Sequence, residues 1–161
     1  MSRRKKIFWL VPLLLVAVLL AALAFGYRRY RQDVRADTPI EQSGPITVTP
    51  ATGGIGVPRT VAVRFKGPWH RRPVEAAVTP VKGLIPDGTP SIHRVGFGFG
   101  YAVWEIRAEF KPFRTGNLAG TTMRVMFNRP EEGSRITAVD LQLPAIEVTP
   151  LDSSDPKLVS A

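Results

Sequence analysis

Beyond residue 45 the chain alternates apolar and polar positions almost without interruption. In TVAVRFK, Val61, Val63 and Phe65 fall on one side, while Ala62, Arg64 and Lys66 fall on the other. VEAAV sets Val74, Ala76 and Val78 opposite Glu75. WEIRAEF sets Trp104, Ile106, Ala108 and Phe110 against Glu105, Arg107 and Glu109, which makes Trp104, Ile106 and Phe110 expected core residues. TTMRVMFN sets Met123, Val125 and Phe127 against Arg124 and Asn128, and ITAVDLQL and AIEVT extend the pattern. Successive strand side chains point to opposite faces, so period two predicts strands with one face buried. Gly and Pro clusters at 67–68, 82–83, 87–90, 114–117 and 129–134 mark the turns between them. The expected fold class is all-β: an antiparallel immunoglobulin-like sandwich of seven or eight strands over 46–150. An open barrel is the alternative.

The first 45 residues have a different pattern. Residues 7–27, IFWLVPLLLVAVLLAALAFGY, carry no charge and have no polar face. At about 1.5 Å per residue this stretch reaches roughly 30 Å, the hydrocarbon thickness of a bilayer. Trp9 and Tyr27 stand near its ends, where amphipathic rings favour the interface. Pro12 falls in the first turns, where its missing N–H costs little. Ala22-Leu23-Ala24 offers a competing reading as a signal-peptide cleavage site. Arg28, Arg29 and Arg31 come almost at once after it and oppose export of the early mature chain, so an uncleaved anchor is expected. The expected organisation is a cytoplasmic basic tail (1–6), a transmembrane helix (7–27), a polar spacer (28–45), the β-sandwich (46–150) and a flexible tail (151–161).

Charge then locates the chain. Of 22 basic and 13 acidic residues, eight basic and one acidic lie in residues 1–35, leaving 14 and 12 for the rest. A nucleic-acid binder usually keeps its basic patch on the folded domain. Here the excess flanks the apolar segment, so nucleic acid is not an expected partner. The bias of Lys and Arg leans towards a cytoplasmic N-terminus. The sandwich is therefore expected in the periplasm or outside, on a single-pass protein of a bacterial inner (cell) membrane. The chain has no cysteine, which excludes a lipoprotein anchor.

Two glycine-rich stretches resemble nucleotide-binding turns. In VTPATGGIG (48–56) the first glycine position of a dinucleotide fingerprint is Pro50. The next residues, VPRTVAVRF, carry a strand pattern where such a site needs a helix N-terminus to meet the phosphate. The stretch reads as a loop between two strands. In GFGFGYAV (96–103) the last glycine of a kinase-type loop is replaced by Tyr101. Apolar parity runs on odd numbers through Val103 and on even numbers from Trp104, a flip that needs a turn or bulge supplied by the glycines. Alternation places Phe97 and Phe99 in the core; the competing reading makes them an exposed aromatic contact patch. WHRR, Trp69 to Arg72, has the composition of an exposed loop, with contact to an acidic partner or a lipid headgroup as its functional reading. The candidate partner-binding residues are Trp69, Arg71, Arg72, Phe97 and Phe99.

Catalytic and metal chemistry has little to stand on. His70 and His93 are the two histidines, neither with an acidic residue at ligand spacing, so no metal or other cofactor is expected. There is no G-x-S-x-G. Glu105 and Glu109 lie about 13 Å apart along a strand, beyond the roughly 5–9.5 Å of glycosidase carboxylate pairs. With Arg107 between them they read as a solvated charge ladder.

One resemblance adds to this. WEIRAEFKPFRTGNLAGTTMRVMF, with Pro112 to Gly116 between two strands, and the closing stretch Leu143 to Pro150 resemble a domain of BatD-type aerotolerance proteins. The resemblance covers about 50 residues. It implies an immunoglobulin-like periplasmic domain on a membrane-tethered accessory protein, working with AAA+ ATPases and von Willebrand A-type proteins, and it implies no catalytic residues. The chain departs from that family in having one domain, and in carrying its membrane helix at the N-terminus rather than after the domains. The leading expectation is a non-enzymatic, membrane-anchored interaction or assembly module with a protein partner. The alternatives are an accessory factor for a respiratory or envelope complex and a hydrolase with an unrecognised active site.

Overall fold

The computed structural model describes residues 3–35, 39–129 and 135–150. They form two compact units, an N-terminal helix and a β-unit beginning at Pro39.

The helix α1 runs from Arg3 to Arg35. Within it, Val11–Gln32 is a 22-residue stretch long and apolar enough to cross a membrane. Leu13, Leu15, Val16, Val18, Leu19 and Leu23 are each more than half exposed, so the apolar surface runs round the whole helix. A helix apolar on every side belongs in a membrane or a core, and none of this stretch is buried. The expected spacer at 28–45 is corrected here: α1 continues through Arg28–Arg35, and Glu41–Gln42 is already a strand. Arg, Tyr and Gln are adequate helix formers, and a helix already nucleated propagates through them cheaply. The Arg31 guanidinium lies 5.8 Å from the Tyr27 ring, one turn back.

The β-unit contains eleven strands among the described residues: β1 (Glu41–Gln42), β2 (Thr47–Thr49), β3 (Arg59–Pro68), β4 (Pro73–Thr79), β5 (Leu84–Pro86), β6 (Ser91–Gly98), β7 (Tyr101–Pro112), β8 (Gly116–Leu118), β9 (Thr122–Arg129), β10 (Arg135–Gln142) and β11 (Ile146–Val148). Every pairing is antiparallel. The largest sheet is built on β3 and β7, paired from Arg59↔Phe110 to Pro68↔Tyr101. β1 and β2 share the other edge of β3, and β5 and β6 share that of β7. A second sheet has the order β10-β9-β4, and β8 and β11 make a two-stranded ribbon. Eleven strands exceed the seven or eight expected because the edges are broken into pieces of two or three residues, too short to show a period.

The sheets share one core. Val61, Val63, Phe65, Ile106, Ala108 and Phe110 of the first meet Met123, Val125 and Phe127 of the second, all at most 2% exposed. Phe65 and Phe127 pack edge to face across the two, ring centroids 5.4 Å apart. From Pro50 onward VTPATGGIG lies in the β2–β3 loop, as its sequence predicts, with Val48 and Thr49 ending β2. It closes on Arg59, which is fully buried and donates from Nη1 to the Thr52 carbonyl at 2.7 Å.

Three face assignments are corrected. A bulge between Pro73 and Glu75 turns Val74 outward, 46% exposed. Trp104 is only half-buried and lies outside the buried cluster that holds Ile106 and Phe110. Apolar parity in β7 does not flip between Val103 and Trp104. Instead the chain turns at Phe99-Gly100, and β6 bulges between Arg94 and Gly96, so Val103 packs over Gly96 on the outer face.

Candidate functional site

The end of the large sheet beyond Phe65 is where the candidate residues gather. The buried cluster stops at Phe65 and Phe127, yet the β3–β7 ladder runs three pairs further, to Pro68↔Tyr101. That overhang carries apolar side chains outside the buried cluster. β6 and β7 are joined there by the two-residue turn Phe99-Gly100, with Gly100 at φ 86°, a backbone conformation glycine adopts without strain. Gly98 pairs with Tyr101, and the Tyr101 ring lies where a Cβ on residue 98 would stand. The glycines of GFGFGY therefore have separate reasons: Gly98 leaves room for the Tyr101 ring, Gly96 for Val103, and Gly100 takes the positive φ of the turn.

Trp69 locks this hairpin to β3. Its indole N–H donates to the carbonyls of Gly98 at 2.9 Å and Tyr101 at 2.8 Å, one on each side of the turn. Its ring stacks on Phe97, with centroids 5.4 Å apart and planes 4° from parallel, and meets Phe99 edge to face at 6.2 Å. Phe97 is 67% exposed, Phe99 62%, Trp69 43% and Tyr101 37%. The alternation reading of Phe97 and Phe99 as core is thereby overturned, because period two fixes a face but not whether anything covers it.

Two cations lie at this sheet end, Arg94 on the face of the cluster and Lys66 on the opposite face. The Arg94 guanidinium lies 5.6 Å from the Phe97 ring, and Lys66 Nζ sits 4.3 Å from the centre of the Tyr101 ring. Arg72 is exposed, its backbone fixed to the Asn128 side chain and main chain. Arg71 is corrected: it is 6% exposed and faces inward, because the Arg71 N–H closes a turn onto the Pro68 carbonyl at 3.0 Å. That turn exposes Trp69 and withdraws Arg71. Of the five sequence candidates, then, Trp69, Phe97 and Phe99 are brought together, Arg72 is exposed further along the loop, and Arg71 is not accessible. Lys66, Arg94 and Tyr101 were missed as site residues. Only the β3–β7–β6 register, fixed by the two-residue turn, brings them to the same end.

A second charged cluster lies on the outer face of the same sheet. Glu105 accepts from Arg64 Nε and from Arg107, each at 2.6 Å, and its side chain is 3% exposed beneath arginines that are themselves 59% and 54% exposed. The expected solvated ladder is corrected in this respect: two guanidinium groups roof the carboxylate. Their hydrogen bonds hold the Glu105 carboxyl below its usual 4.5. His93 stands opposite Glu105 in register, but both carboxylate oxygens are already engaged by the arginines. A carboxyl depressed in the folded state contributes stability that is present above about pH 4.5 and lost as pH falls through its folded value. Glu105→Gln should therefore be less stable than the parent above that pH, and the two should converge in acid. Denaturant midpoints measured across pH 3–7 check this; a gap that persists unchanged at pH 3 would contradict it.

A groove of about 560 Å³ on the β8–β11 ribbon is lined by Asn117, Thr149 and neighbours, with Glu147 its one ionisable residue. Among the described residues no three His, Cys, Asp or Glu side chains group to hold a metal ion. No family model, curated protein or solved structure matches the chain.

Proposed function

We propose that the chain is a non-enzymatic, membrane-anchored interaction module that binds a protein partner through the exposed end of its β-unit. In this reading α1 spans a bacterial inner membrane with its N-terminus in the cytoplasm. The β-unit is an immunoglobulin-like sandwich on the opposite side, in the periplasm or outside. A complex linked to AAA+ and von Willebrand A-type proteins is the partner class that the BatD-type resemblance implies. The observation that carries the reading is the exposed Trp69–Phe97–Phe99 cluster at the sheet end, with Arg94 over Phe97 beside it. Protein interfaces enrich aromatic residues and arginine, and Trp, Tyr and Arg dominate their energetic centres. A monomer gains nothing from leaving two phenylalanines more than half exposed beside each other, whereas a partner that covers them recovers their transfer energy.

Two measurements test it. Photo-reactive p-benzoylphenylalanine in place of Phe99, in the full chain in cells, should cross-link a protein; its absence from any protein adduct would sink the reading. Ala51→Cys, on an exposed loop of a cysteine-free chain, should react with an impermeant maleimide in intact spheroplasts. Labelling only after lysis would place the β-unit in the cytoplasm.

A further inference from the structure

The aromatic cluster carries more than a place for a partner; its charges define what the partner offers. Residues 66–72 and 94–104, which build the sheet end, contain Lys66, Arg71, Arg72 and Arg94 and no Asp or Glu. Elsewhere on this sheet the exposed cations find carboxylates: Arg64 and Arg107 on Glu105, and Lys111 on Asp87 at 2.7 Å. Arg124 does the same with Asp140 in the second sheet. Lys66 and Arg94 do not, among the described residues; each is parked instead on an aromatic ring. Glu41 faces Lys66 across β1–β3 in register, yet the two make no ion pair. A cation held over a ring face does not use up its N–H donors, three on Lys and five on Arg, so some remain for an acceptor. The sheet end is thus an apolar cluster with Arg94 beside it on the core-side face and Lys66 on the opposite face, each left with donors to offer.

From this we infer that the partner presents an acidic–apolar segment that passes over the sheet end, with an apolar side chain against Trp69, Phe97 and Phe99 and carboxylates against Arg94 on that face and Lys66 on the opposite one. The inference rests on the protein-partner reading above and specifies its chemistry. Two other occupants fit less well. A second copy of the chain would set like charges against each other. A lipid surface is usually met by Trp with its N–H turned to the headgroups and by clusters of about four to eight basic residues. Here the Trp69 N–H is spent on Gly98 and Tyr101, and the cations at the sheet end are fewer. Charge complementarity of this kind sets partner choice and association rate, while the aromatic platform holds the complex together.

The test keeps the full chain in its membrane, with p-benzoylphenylalanine in place of Phe99, and adds Lys66→Glu with Arg94→Glu. Cross-link yield should fall on the order of tenfold, equivalent to about 1.4 kcal/mol of lost affinity. Lys66→Arg with Arg94→Lys should keep it within about twofold, since an exposed ion pair carries only about 0.2–1 kcal/mol and charge is retained. Lys66→Gln with Arg94→Gln should fall between, which separates lost attraction from new repulsion. Mass spectrometry of the adduct should map the cross-link to a partner peptide with Asp or Glu beside an apolar residue. A captured protein whose yield ignores charge reversal, or whose mapped peptide lacks a carboxylate, overturns this inference and leaves the protein-partner reading standing. An adduct only to lipid, only to a second copy, or to nothing overturns both.

Discussion

Phe127→Ala is expected to lower the unfolding free energy by about 3–5 kcal/mol, a large fraction of the roughly 5–15 kcal/mol typical of a small domain. Phe127 is 1% exposed and sits where the two sheets meet, edge to face with Phe65 at 5.4 Å. Its removal forfeits transfer energy, opens a cavity that rigid strands on both sides cannot collapse, and breaks an aromatic pair worth about 0.5–1.5 kcal/mol beyond its area. Near-UV circular dichroism of the purified full chain during urea denaturation measures the change. Phe99→Ser supplies the internal control: at 62% exposure it should move stability by less than about 1 kcal/mol. Equal losses at the two positions would mean that Phe99 is packed and that the exposed cluster has been misplaced.

Trp69→Ala carries the second large effect, and on binding rather than on folding. The indole does three things at once: it ties the β6–β7 turn to β3 through two hydrogen bonds, forms the platform with Phe97, and buttresses Phe99. Hot-spot truncations of this kind cost about 2 kcal/mol or more of binding, so photo-capture from a neighbouring site should fall by roughly 30-fold or more. Placing the photo-reactive residue at Val95, exposed and outside the stack, keeps the readout independent of the mutated ring. Stability should drop by only about 1 kcal/mol per hydrogen bond lost, since the ring is 43% exposed. Unchanged capture with Trp69 absent would remove the aromatic platform from the interface.

Much of this was written in the linear pattern. The odd apolar positions of Val61, Val63 and Phe65, the even ones of Ile106, Ala108 and Phe110, and Met123, Val125 and Phe127 all became core. A period-two strand has one register of side chains, and burying the wrong face would put Arg64, Arg107 and Arg124 inside. The apolar run after the basic N-terminus was equally plain as a helix long and apolar enough to cross a membrane, because it carries no charge and no polar face. Pro50 and Pro58 likewise rule a nucleotide-binding helix out of the glycine-rich loop by their chemistry alone.

What the pattern could not carry was coverage. Alternation assigns Phe97 and Val61 alike to an apolar face, but Val61 lies on β3 between β2 and β7 and is sealed, whereas Phe97 lies at the end of β6, which pairs only with β7, and is not. Glu105 and Glu109 read identically as charged outward positions, yet Arg64 arrives from a strand 41 residues away to roof only the first. Arg71 and Arg72 are adjacent and alike in sequence, and a single turn closing on Pro68 sends one inward and leaves the other out. Lys66, Trp69, Arg94 and Tyr101 come together only because antiparallel pairing folds β6 back on β7 and β7 along β3. Local periodicity determines which way a side chain points; which distant segment then lies above it is settled by strand order and strand length, and those are properties of the assembled sheets.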